Sequence, residues 1–305
     1  MKNNRTLKIG FLIFIGLISI KSIKKWGFNG HRKINRMAVF TLPNEMSGFF
    51  KKNLEFITAN STTPDSRRYS NKEEGAGHYI DIEYYVNVQE LEKKNWNEIN
   101  KIIPKDSLYK HGILPWRIIQ YKFLLQKAFE QKSYREILKY ASELGHYIAD
   151  AHVPLHTTKN YNGQYTNQLG IHSLWETKIV DLIQNDINYF TEKAYYVEDI
   201  EKFIWDIINK SHTEIPIVLI KEKNLSDSIL YPKYKFKSNN EKVSYTDKFI
   251  SDYNLKMNEL VSEKIKESII HLGSIWYTAW IDAGQPILEI KQFKQNIPKE
   301  HHECE

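Results

Sequence analysis

Between Tyr134 and Ala149 the apolar residues Ile137, Leu138, Ala141, Leu144 and Ile148 recur at steps of three and four. That spacing predicts a helix with one buried stripe, which Pro154 stops. The same segment holds His146 and Asp150, four residues apart. On a helix both side chains project from one face, about 6 Å apart, as a shared divalent cation requires.

Helical spacing recurs along the chain. Residues 29–41 supply Ile34, Met37 and Ala38 on one face and end before Pro43. Residues 246–282 place Met257, Leu260, Val261, Ile265, Leu272, Trp276 and Ala279 on one side, ending at Gly284 and Pro286. Alternating β-branched runs are few, so the expected fold is all-α, a single multi-helix domain over residues 26–290. Residues 220–244, polar and rich in lysine and asparagine, read as a long loop or insertion. Residues 291–305 read as a charged, flexible tail.

Of the 305 residues, 41% are apolar and 26% charged, which excludes a disordered chain or a multi-pass membrane protein. The one cysteine, Cys304, stands in the tail, so a disulfide framework and a cysteine zinc cluster are excluded. A metal site must therefore use histidine and carboxylate. The net charge of +6 would suggest a polyanionic partner. Six of the 43 basic residues, however, lie in the first 25 positions, which contain no acid; the remaining 37 equal the 37 acids. Those 25 residues hold the apolar run IGFLIFIGLISI (9–20) between Lys8 and Lys21. It is too short to span a bilayer as a helix and fits a secretory signal, or an uncleaved N-terminal anchor. The expected location is outside the cytoplasm: secreted, periplasmic or membrane-anchored.

A second four-residue pair, His172 and Glu176, follows the first. Pro154 turns the chain between them and presents His156 separately. Mixed nitrogen and oxygen pairs suit zinc better than calcium or magnesium. Taken alone, one such pair is more often a surface ion pair or a core histidine. Here two further features join the pairs: Trp26-Gly-Phe-Asn-Gly-His31, and Gly77-His78-Tyr-Ile-Asp with Asp65 shortly before it.

This ordered set resembles the superfamily of trinuclear-zinc bacterial phospholipases C and fungal- and plant-type single-strand-specific nucleases, over Trp26 to about Asp181, with a looser likeness at residues 276–286. The resemblance implies the all-α fold of that superfamily and three zinc ions. Asp65, His78, His146 and Asp150 would hold the first. Trp26, through its α-amino nitrogen and carbonyl oxygen, with His31 and Asp150 would hold the second. His156, His172 and Glu176 would hold the third. Asp150 would bridge the first two, and Asp65 would also orient or deprotonate the attacking water. The reaction implied is hydrolysis of a phosphodiester by water activated between the metals.

Two features depart from the pattern. Lys25 precedes Trp26, a poor context for the processing that would free its amine. The five-residue step from Trp26 to His31 looks nuclease-like, whereas Glu176 and the short interval from His156 to His172 look phospholipase-like. Three readings follow: a phospholipase C-like hydrolase first, a single-strand-specific nuclease second, and a non-catalytic zinc-stabilised binding protein third. The substrate would be a phospholipid or single-stranded nucleic acid, and the chain a monomer for which no protein partner can be inferred. Arg67 and Arg68 are candidates for contacting a substrate phosphate, although paired arginines in a loop are more often solvated or ion-paired. His152 and Asp81 are expected either to support the metal ligands or simply to pack. His111, His212 and His271 are expected to be ordinary, as are His301 and His302 beside Cys304.

Overall fold

The computed structural model describes residues 26–68, 70–85, 88–236 and 242–293. Residues 1–25, residues 294–305 and the side chain of Trp26 lie outside that description, and with them the expected signal or anchor, His301, His302 and Cys304. Among the described residues the fold is all-α apart from one two-stranded hairpin. Among the described residues no helix is long and apolar enough to cross a membrane.

The helices that position the site are α1 (Trp26–Ala38), α2 (Leu54–Asn60), α3 (Thr63–Arg67), α4 (Leu114–Glu130) and α5 (Tyr134–Ala151), followed by α6 (Ile200–Thr213), α7 (Ile215–Ser228), α8 (Asp247–Met257) and α9 (Leu260–Asp282). Helix α5 is central, because every residue from Ala141 to Ala151 is buried. It packs against α1, α2, α4 and α9. Its polar members therefore face other helices instead of water, and each needs a partner there. Gly145 lets α1 come close, since a Cβ there would fall 1.9 Å from Asn35 Oδ1. The Asn35 amide uses that proximity to donate to the Ser142 carbonyl at 2.8 Å and to the Ile57 carbonyl at 3.3 Å. One side chain thus ties α1 to both α5 and α2.

Two expectations are corrected. The helix expected over 246–282 is two helices, because Asn258 and Glu259 take positive φ, 51° and 65°, between α8 and α9. The apolar periodicity survives the break, which hides it in the sequence. Residues 220–244 are not a loop either: α7 continues to Ser228, and β1 (Tyr234–Phe236) pairs antiparallel with β2 (Lys242–Tyr245). Part of that segment's polarity is buried and paired, which its composition does not reveal. Glu222 is fully buried, with Lys233 Nζ at 2.5 Å and Gln168 Nε2 at 2.6 Å. Farther on, the Asn53 amide donates to the Lys291 carbonyl and Asn53 Oδ1 accepts from Phe293 N, so the chain is fastened as far as Phe293.

Candidate metal centre

Asp150, near the C-terminal end of α5, is the hub. Its Oδ2 lies 3.0 Å from His78 Nδ1 and 3.4 Å from His146 Nε2. Its Oδ1 lies 3.5 Å from His31 Nε2 and 3.5 Å from His156 Nδ1. These side chains arrive from separate elements. His146 shares α5, His31 comes from α1, His78 from a 3-10 turn (Ala76–His78), and His156 from the 3-10 turn (Pro154–Thr157) that Pro154 opens. Asp65 on α3 completes this side, with Oδ1 4.0 Å from His146 Nε2.

A second cluster adjoins the first through His156. Glu176 takes His156 Nε2 at 2.8 Å and His172 Nε2 at 3.0 Å, and the two imidazoles stack with 3.3 Å between their Nε2 atoms. Glu176 sits in a π-helical turn, Leu174–Ile179, an irregularity frequent at functional sites. The burial is graded. His146 and Asp150 are 1% and 2% exposed, whereas the His172 side chain is 27% exposed, so the cluster opens on the His172 side.

Two histidines of the cluster have Nδ1 fixed as a donor to a backbone carbonyl. His146 Nδ1 donates to the Ser61 carbonyl at 2.9 Å, leaving Nε2 as a lone pair facing the cluster. His172 Nδ1 donates likewise to the Tyr161 carbonyl at 3.2 Å. Burial, reinforced by the neighbouring His31 and His78, holds the His146 pKa well below the usual histidine range. His156 goes the other way: burial opposes its protonation, but the Glu176 and Asp150 carboxylates outweigh it and push its pKa up to about 9. Glu176 is driven up by burial and down by His172 and His156, and stays well below the usual carboxylate range.

Among the described residues, three groups of donors lie close enough to hold one ion each: His31, His146 and Asp150; Asp65, His78 and His146; and His156, His172 and Glu176. The residues fit zinc on two grounds. Two donors each ~2.1 Å from a tetrahedral ion stand roughly 3.4 Å apart, close to the separations within these clusters. In addition, His156 Nδ1, which faces Asp150 Oδ1 at 3.5 Å, is buried without a hydrogen-bond partner. The structure therefore brings together His31, Asp65, His78, His146, Asp150, His156, His172 and Glu176. It adds one difference from the expected sets, because His146 lies within reach of His31 as well as His78. Trp26 opens α1 by its backbone, five residues before His31.

Other expected residues land elsewhere. Arg67 is not open to a substrate phosphate, because its guanidinium is bound by Glu74 and Glu143. Arg68 is half exposed and pairs with Asp65 at 3.4 Å. His152 does not support a ligand: its Nδ1 donates to the Ile148 carbonyl and its Nε2 meets His271 Nδ1 at 2.8 Å. Asp81 binds His111 at 3.1 Å, and His111 stacks on Tyr84 with ring centroids 3.6 Å apart, so this pair is likewise spent away from the cluster. The Ser61 and Tyr161 carbonyls, which set two tautomers, had no sequence signal because every residue has a carbonyl.

Residues 26–278 match a family profile described as S1/P1 Nuclease. No curated protein sequence matches the chain. Among solved structures the chain is similar to the alpha-toxin of Clostridium perfringens isolated from avian strain SWCP, with a TM-score of 0.47 and 14% sequence identity over 85% of this chain and 65% of the toxin chain. The chain thus spans about two thirds of that toxin's length.

Proposed function

The chain belongs to the S1/P1 nuclease family, and from that premise we propose that it is a zinc-dependent phosphodiester hydrolase with three metal ions. The observation that carries this reading is Asp150, whose two oxygens each face two imidazoles within 3.5 Å. A carboxylate placed so can be shared between ions, which stability alone does not require. That geometry disfavours the reading of a zinc-stabilised binding protein.

Bound zinc would supply acidified water and charge neutralisation for in-line attack on phosphorus. The protein's own residues do the remaining work. The Ser61 and Tyr161 carbonyls hold the Nε2 atoms of His146 and His172 toward the cluster, so neither ring must reorient on binding. Asp65 sits at the edge of the cluster, where it would orient the attacking water. Arg68, paired with Asp65 beside the cluster, would be the guanidinium that meets a phosphoryl oxygen. The second ligand set, Trp26 with His31, would be complete in a chain processed to begin at Trp26.

A single-stranded nucleic acid is the favoured substrate, and a phospholipid the second. The family favours the first. So does Tyr161, whose ring is half exposed and stands edge-on to His172 with centroids 6.0 Å apart, placed to stack on an unpaired base. The test is elemental analysis of the purified protein, followed by assays on single-stranded DNA, phosphatidylcholine vesicles and a chromogenic phosphodiester. About three zinc per chain and turnover of DNA are expected. Less than one zinc per chain, or no turnover of any of the three by zinc-loaded protein, overturns the reading.

A further inference from the structure

We propose that Arg67 is a positioning residue for the Asp65, His78 and His146 group, fastening from behind the three chain segments that supply it. The role rests on the metal reading above.

Those three ligands come from residues 65, 78 and 146, and no local helix geometry fixes one against another. Arg67 does. It lies two residues after Asp65 on α3. Its Nε and Nη2 each stand 3.2 Å from one oxygen of Glu74, and its Nη1 stands 2.7 Å from Glu143 Oε2. Glu74 belongs to the short helix Lys72–Gly75, which runs directly into the turn bearing His78. Glu143 is one turn before His146 on α5. One planar guanidinium therefore bonds the segment of Asp65 to the segments of both histidines.

Two tyrosines close the arrangement. Tyr121 of α4 donates to Glu143 Oε2 at 2.8 Å, and Tyr147 donates to Glu74 Oε1. Nη2 of Arg67 reaches both hydroxyls, at 3.1 and 3.3 Å. The Tyr147 ring then packs edge-on to His78 and to His146, with centroids 5.6 and 5.7 Å away. Glu74, Glu143 and Tyr147 are buried, so removing the guanidinium leaves two carboxylates without their cation. A lysine would bring one point charge to a place built for a bidentate fork plus a third bond.

The experiment measures zinc affinity ion by ion, by chelator competition and by the absorption spectrum of the cobalt-substituted protein, at a temperature where far-UV circular dichroism shows every variant folded. Arg67→Met is expected to weaken one ion by about 10- to 100-fold, the range for residues that orient ligands, with the His156, His172 and Glu176 ion unchanged. Arg67→Lys is expected to recover only part of the loss. Ile99→Ala, a buried truncation on the separate helix Trp96–Ile102, controls for general destabilisation and is expected to leave all affinities as they were. If Arg67→Met does not fold, Glu143→Gln, which keeps the shape of the network, is read on the same ion. Wild-type affinity at every ion in the Arg67 and Glu143 variants, or an equal loss in Ile99→Ala, overturns the proposal. Wild-type protein that takes up no zinc would instead overturn the metal reading itself.

Discussion

His78 and His146 turn ring nitrogens toward each other, Nδ1 to Nε2, at 2.9 Å. Because Ser61 keeps the proton of His146 on the far nitrogen, the facing Nε2 is a lone pair. A cation between the rings relieves this contact, whereas in its absence His78 must hold a proton there. Metal should therefore stabilise the fold. With free zinc at about 1,000 times its dissociation constant, one site contributes ~4 kcal/mol. Calorimetry with and without a chelator should show a melting temperature lower by several degrees in the stripped protein, restored by zinc. An unchanged melting temperature would contradict the arrangement.

Substitution at Asp150 should be more damaging than at Asp65. Asp150 faces four imidazoles, whereas Asp65 approaches one at 4.0 Å. Asp150→Asn keeps the shape and removes the shared charge. We expect it to lose more than one zinc per chain and to lower kcat by more than the ~100-fold upper range for residues that only orient ligands. Asp65→Asn should cost at most one ion, with a measurable residual rate. Equal zinc contents in the two variants would refute the ranking.

The pH dependence of the metal-free protein follows from His156 and its neighbours. The His156 pKa is pushed from 6.5 up to about 9. Its contribution to stability is thus fully present below pH 6.5 and is lost as pH rises through about 9. Glu176 is depressed, so its contribution is present above its ordinary value and lost as pH falls through the lowered one. Burial lowers His271 to about 4, which opposes folding as pH falls below 6.5. Stability of the stripped protein should therefore peak near pH 6.5. Zinc entering at His156 must displace its proton, so calorimetric titration at pH 7 in buffers of different ionisation enthalpy should reveal ~1 proton released at that site. Zinc uptake without proton release would contradict the assignment.

The sequence shows the eight assembled residues because two of the spacings, His146 to Asp150 and His172 to Glu176, are local properties of helical turns, and because the remaining motifs stand in an ordered series. It does not show what Arg67 does, since the partners Glu74, Glu143, Tyr121 and Tyr147 are joined only by tertiary packing. The same is true of Asp81 and His152, whose bonds to His111 and His271 cross 30 and 119 residues. The helix break at Asn258 was hidden for a different reason: two residues of positive φ change the direction of a helix without disturbing the apolar pattern that reveals it.

Gly145 offers a test of the close packing beside His146. In an ordinary helix interior, glycine to alanine stabilises by about 1 kcal/mol. Here the new Cβ would fall 1.9 Å from Asn35 Oδ1 and 2.8 Å from Leu272 Cδ2. Asn35 is fixed by its bonds to Ser142 and Ile57, so it cannot yield without losing one. Overpacking costs about 1–3 kcal/mol and a lost hydrogen bond about 1 more. Gly145→Ala should therefore destabilise by roughly 1–3 kcal/mol net in denaturant titration. A stabilised variant would show that α1 and α5 are farther apart than described.

Glu259 supplies the opposite prediction. Its side chain is exposed and its φ is 65°, a left-handed conformation that costs a residue with a Cβ about 1–2 kcal/mol. Glycine removes that strain but gives the unfolded chain more freedom, offsetting roughly 0.5–1 kcal/mol. The first effect is the larger, so Glu259→Gly should stabilise by ~0.5–1 kcal/mol and raise the melting temperature by about 1–3 °C. Asn258→Gly should do less, since asparagine tolerates this region better than glutamate. Proline at 259, which cannot adopt positive φ, should destabilise strongly. If glycine and proline shift the melting temperature alike, α8 and α9 are joined by a different turn.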